Sequence, residues 1–141
     1  MIFTNRYQYH NLGLLLLRVG LGVMFMIHGF PKLAGGPTAW AGVGGVMDVL
    51  GLGFAPTFWG LLAALAEFGG GLLLALGLWF RLACVGLLIT MIMATVMHVS
   101  KGQGFNEYAH ALESAFVFLG LLFAGPGRYS LDERLFGSRL R

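Results

Sequence analysis

Residues 63–77 read A-A-L-A-E-F-G-G-G-L-L-L-A-L-G, an apolar run with one carboxylate, Glu67, near its centre. A helix needs about 20 apolar residues to cross the hydrocarbon core of a bilayer, and the residues around this run supply them. A charged side chain at that depth costs roughly 2.5–3.5 kcal/mol, so it faces the interior of a bundle and meets a partner there. Gly69, Gly70 and Gly71 follow at once and leave room for a neighbouring helix to approach closely. The stretch therefore specifies a membrane helix with a polar purpose, and the remaining chain is read as its surroundings.

Composition agrees. The chain has 141 residues, 57% hydrophobic and only 11% charged, where soluble domains carry roughly 25% charged residues. Its mean hydropathy is +0.80. A single transmembrane domain over residues 1–141 is the natural expectation. The formal net charge of +3 sets topology in such a chain rather than binding nucleic acid. One cysteine, Cys84, excludes an intramolecular disulfide and thiol relay chemistry within the chain. The first apolar stretch follows an arginine, as a secretory signal would, but ends at His28-Gly29-Phe30-Pro31 with no small-residue cleavage site. It is expected to stay as the first helix.

Four spanning helices are predicted, at about 12–30, 57–80, 82–99 and 106–124, making an all-α four-helix bundle. Pro31 closes the first, Asn106 is an N-cap candidate for the fourth, and Gly125-Pro126-Gly127 ends it. The very short turn Trp79-Phe80-Arg81 makes the second and third spans antiparallel neighbours. Between the first two spans, Trp40, Val43, Val46, Met47 and Leu50 recur at helical spacing and predict a short interfacial helix at about 38–50, against the alternative of a long structureless loop. Short-loop arginines and lysines number six on the side of the termini (Arg6, Arg81, Arg128, Arg134, Arg139, Arg141) and two on the other (Lys32, Lys101). That bias predicts both termini in the cytoplasm.

Depth along each helix follows from a rise of about 1.5 Å per residue. With Phe30 and Thr57 at one boundary, Arg18 and Glu67 both fall near mid-membrane, so the two are expected to pair. The pair either locks helices together, weak evidence for stability in itself, or faces a ligand. A second layer holds His28, His98, His110 and Glu113, with His110 and Glu113 three apart on one helical face. Imidazoles suit proton transfer or haem and metal ligation, although histidines at helix ends are also simply hydrated. No metal-binding spacing such as H-x-x-x-H occurs, and haem between His28 and His98 is the alternative cofactor. Lys32 either reaches this layer or binds lipid headgroups. Seven Met without M-x-x-M order fit packing, and Trp40, Trp59 and Trp79 fit an aromatic belt.

Three stretches, in order, carry a likeness: Leu17-Arg18 leading to His28-Gly29-Phe30-Pro31-Lys32-Leu33, then Glu67-Phe68-Gly69-Gly70, then Gly125-Pro126-Gly127-Arg128-Tyr129-Ser130-Leu131-Asp132. Together they resemble the DoxX family of small four-helix membrane proteins. The resemblance implies a bundle in the bacterial inner membrane. It also implies, for some relatives, quinone-linked oxidation, as in the membrane subunit of thiosulfate:quinone oxidoreductase, or resistance to quinones and oxidative stress. The leading expectation is a quinone-interacting redox component. His28, Glu67 and Glu113 would handle protons, while Arg18, Lys32, His98 and His110 would hold the ligand. No dinucleotide fingerprint is present, so electrons would come from a partner protein or directly from the substrate. The rival expectations are a membrane scaffold for soluble redox enzymes or a small-solute permease, and a homodimer is compatible with the glycine-rich faces.

Overall fold

A computed structural model describes residues 9–137. Arg6, Arg139 and Arg141 of the charge-bias argument lie outside them. Four helices are long and apolar enough to cross a membrane: α1 (His10–Ala34), α3 (Pro56–Leu76), α4 (Phe80–Ser100) and α5 (Phe105–Ala124). A short helix, α2 (Gly36–Gly44), runs into a 3₁₀ segment (Gly45–Leu50) between the first two, and α6 (Leu131–Phe136) follows the last. No strand occurs among the described residues.

The first helix is longer than the predicted 12–30, because it continues through Pro31. Proline there lacks only the N–H that would bond the carbonyl of Ile27, a loss that membrane helices tolerate when neighbours pack around the freed group. The inward residues Leu14, Arg18, Gly22, Phe25 and Gly29 recur at three and four. Continued past the proline, that rhythm puts Lys32 on the same face. The chain then turns at Gly36 (φ +73°), and the indole of Trp40 donates to the Lys32 carbonyl at 3.0 Å, fastening α2 to the end of α1.

Its partner α3 has a matching inward stripe of Gly60, Ala64, Glu67, Gly71 and Leu74. A Cβ placed at Gly71 would lie 2.8 Å from the Gly22 carbonyl oxygen, so these two backbones cross at a distance only glycine allows. Further along, Gly44 of α2 crosses Gly60 of α3 in the same way. Thus α1 and α2 run one after the other, antiparallel to α3, with α2 packed along its first turns. Of the glycine triplet, Gly71 meets α1, Gly70 meets Leu87 of α4 and Gly69 faces open space.

The tight core lies where α3, α4 and α5 meet α1. Leu74, Phe80, Cys84, Leu87 and Phe118 are fully buried there, and Phe25 packs edge-on against Phe118 at 4.9 Å. The turn between α3 and α4 places Gly77 and Trp79 at positive φ. Phe80, assigned from sequence to that turn, is the first residue of α4, and α5 starts at Phe105 with Gly104 rather than Asn106 at its N-cap.

Candidate functional site

Glu67 is 3% exposed and is the charged residue that the fold has to justify. Its Oε2 accepts from Lys32 Nζ at 2.5 Å, and the lysine side chain is itself 40% exposed. The expected Arg18–Glu67 pair does not form. Arg18 is instead buried one level away, where Nη1 donates to the Ala75 carbonyl at 2.8 Å and Nη2 to the Tyr129 carbonyl at 2.5 Å. Ala75 is eight residues from Glu67, about 12 Å along the helix axis. The depth estimate failed because Phe30 and Thr57 do not share a boundary. Gly29 packs against Phe68, and α2 occupies the level of Thr57.

The ion pair lies on the wall of a cavity of about 370 Å³, at the small end of the range for ligand pockets. Val43, Val46, Met47 and Leu50 form one side, Trp59, Leu62 and Ala63 of α3 the second, and Ile89, Met91, Met93, Ala94 and Met97 of α4 the third. The apolar repeat between the first two spans is therefore the cover of this cavity. Among the described residues, Lys32 and Glu67 are the only charged ones on its wall. Thr90 also lines it, but its hydroxyl is spent on the Gly86 carbonyl at 2.9 Å. Leu50, Leu62 and Ile89 line the cavity and are also about half exposed, so it opens onto the apolar side of the bundle. The Trp59 ring packs edge-on against Phe54 and Phe58, and its indole Nε1 is buried without a hydrogen-bond partner.

The remaining expected site residues lie apart from the cavity. His28 of α1 and His110 of α5 approach with ring centroids 6.2 Å apart. Both residues are exposed, as is Glu113 one turn further along α5. His98, at the end of α4, has Nδ1 2.5 Å from Gln103 Oε1. No group of three or more metal-ligating side chains occurs among the described residues.

The C-terminal motif forms a clasp around Arg18. Tyr129 supplies a carbonyl, and the Ser130 hydroxyl donates to Gly127 while capping α6 by accepting from Glu133 N–H. The Asp132 carboxylate accepts from the N–H groups of Trp79 and Phe80 at 2.8 and 2.9 Å, which caps α4 from another segment.

The DoxX family model matches residues 13–99, which include most of α1, all of α2 and α3 and nearly all of α4. The chain belongs to the DoxX family. As a DoxX protein it resembles "Inner membrane protein YqjF" of Escherichia coli (strain K12), 30% identical over 128 residues, 89% of this chain and 93% of that one. An "Uncharacterized protein" of Haemophilus influenzae is 32% identical over 139 residues, 94% of this chain and 98% of that one. "Uncharacterized membrane protein Rv3486" of Mycobacterium tuberculosis is 39% identical over 94 residues, 57% of this chain and 58% of that one. No solved structure matches this DoxX chain.

Proposed function

We propose that this membrane protein binds a quinone ring in the cavity between α2, α3 and α4 and acts as a redox component of the bacterial inner membrane. The observation that carries the reading is an apolar cavity open to the lipid-facing side whose wall bears one ion pair, Lys32–Glu67. A membrane-dissolved ring with polar oxygens needs apolar walls, a lateral entrance and a few fixed polar groups. Lys32 Nζ would donate to a ring oxygen and favour negative charge developing there. Glu67, in contact with that ammonium, would hold or release the proton at the same oxygen. Bound there, a quinone would supply two-electron, two-proton chemistry, with electrons delivered by a partner protein or by the substrate itself. In this reading both termini face the cytoplasm, as the arginine bias predicts.

The test is an oxidised-minus-reduced absorption spectrum of the detergent-purified protein. Ultraviolet bands that bleach on reduction, and return when quinone is added back to stripped protein, are the expected result. Visible haem bands would replace the quinone with haem. A spectrum that stays silent after add-back would overturn the reading in favour of a scaffold.

A further inference from the structure

The helices of this bundle are joined in two ways. Against α3, the backbones of α1 and α2 cross at distances that only glycine allows, at Gly22–Gly71 and Gly44–Gly60. Few α-carbons of α1, by contrast, come close to α5. These two helices meet through side chains, and two ring contacts mark the seam: Phe25 against Phe118 inside the bundle, and His28 against His110 at its surface. Both imidazoles are exposed, and neither has a hydrogen-bond partner among the described residues, whereas His98 is engaged by Gln103. A metal ion held by two imidazole nitrogens at about 2.0–2.1 Å each sets the ring centres roughly 5–6.5 Å apart, depending on the angle at the metal. The observed centroid separation of 6.2 Å lies inside that interval. An exposed imidazole can turn either nitrogen toward the gap, because its terminal torsion is broad and roughly two-fold. His28 lies near the end of α1 and His110 near the start of α5, about 7–9 Å from those helix ends, where an ion can arrive from water.

We propose that His28 and His110 form a two-histidine site for a divalent transition-metal ion of the kind imidazole favours, zinc or copper, and that the ion braces α1 against α5. Two protein ligands leave the remaining coordination positions to water, which makes this an open site rather than a closed structural one. The site shares no residue with the cavity wall and does not depend on the quinone reading.

The experiment is a calorimetric titration of the tag-free, chelator-stripped full chain in detergent with zinc chloride. The expected result is one zinc per chain, with a rise in the thermal unfolding midpoint because the ion binds only the folded arrangement. His28→Ala and His110→Ala should each abolish that rise. Each should also weaken binding by roughly tenfold or more, since even the outer-shell partners of a metal ligand are worth that much. The double variant should be little weaker than either single one, because both histidines serve one ion. His10→Ala removes an imidazole at the opposite end of α1 and should bind zinc as the unmodified protein does. Zinc binding that survives either single substitution, or that falls as much with His10→Ala, would overturn the proposal, as would no binding by the unmodified protein. If a variant does not fold, electron paramagnetic resonance of the unmodified protein with copper(II) decides. Hyperfine structure from two imidazole nitrogens is expected, and coupling to one or none would overturn the site.

Discussion

Arg18 and Glu67 are the two most buried charges of the bundle, 2% and 3% exposed, yet the protein treats them in opposite ways. Both hydrogen-bond acceptors of Arg18 are backbone carbonyls, and its Nε is buried without a partner. The guanidinium serves the Ala75 carbonyl in the last turn of α3, where a helix end leaves carbonyls without partners, and ties it to the C-terminal clasp through the Tyr129 carbonyl. Around Glu67 the partner is a half-exposed lysine, and beside the pair lies open volume. Two ways of burying a charge thus divide the molecule. At the clasp end the charge replaces missing backbone hydrogen bonds and the packing closes over it. At the cavity end, one residue of the pair stays accessible and the packing stops short. Only the second arrangement leaves room for a ligand.

The contrast is broken most severely by Arg18→Leu. The substitution orphans the Ala75 and Tyr129 carbonyls, at roughly 1–3 kcal/mol for each buried group left unsatisfied. Thermal unfolding in detergent should show a large drop in midpoint, or no folded protein at all, and on the proposed quinone reading any folded fraction should bind quinone as the unmodified protein does. A small drop would place the guanidinium outside the structural frame. Glu67→Gln should separate the two ends in the other direction. Glutamine keeps the volume and an acceptor for Lys32 Nζ but neither the charge nor the exchangeable proton. The unfolding midpoint should shift by only a few degrees, while quinone-dependent turnover falls tenfold or more. Full turnover would remove Glu67 from proton handling.

Much of the frame was legible in the sequence because the bilayer enforces it. Four apolar spans, the glycine triplet and the stop at Gly125 follow from length, periodicity and backbone chemistry alone. The apolar repeat from Trp40 to Leu50 was legible as a helical face, but its role as a cavity wall depended on where α2 would pack. The pairing of charges was misread for a definite reason. Ending the first span at Pro31 hid the continuation of the stripe 14, 18, 22, 25, 29 to Lys32. The assumed common boundary then matched Glu67 with Arg18 rather than with Lys32. The spacing itself held the corrective signal, since a stripe that persists through a proline marks a helix that does too.

The smallest expected effect concerns Asp132, which binds the clasp to the opposite end of the α3–α4 turn. Its carboxylate accepts from the N–H groups of Trp79 and Phe80, and its own N–H donates to the Gly77 carbonyl at 2.9 Å. Asp132→Asn keeps the backbone contact and one acceptor oxygen, and removes the negative charge from the start of α4. Loss of a charge favourable to a helix N-terminus costs about 0.3–1 kcal/mol at an exposed position. The expected outcome is a fall of a few degrees in the unfolding midpoint that shrinks as salt screens the interaction, with quinone affinity unchanged because the cavity lies at the far end of α3. Asp132→Ala removes both acceptors and should cost more, near the upper end of about 0.5–2 kcal/mol for a lost cap. Equal effects from the two variants would mean that the charge carries the whole contribution and that the acceptor oxygen kept by asparagine adds nothing. A fall in quinone affinity with either variant would mean that the two ends of the bundle are coupled, and that the division between a structural charge and a functional one is not a clean one.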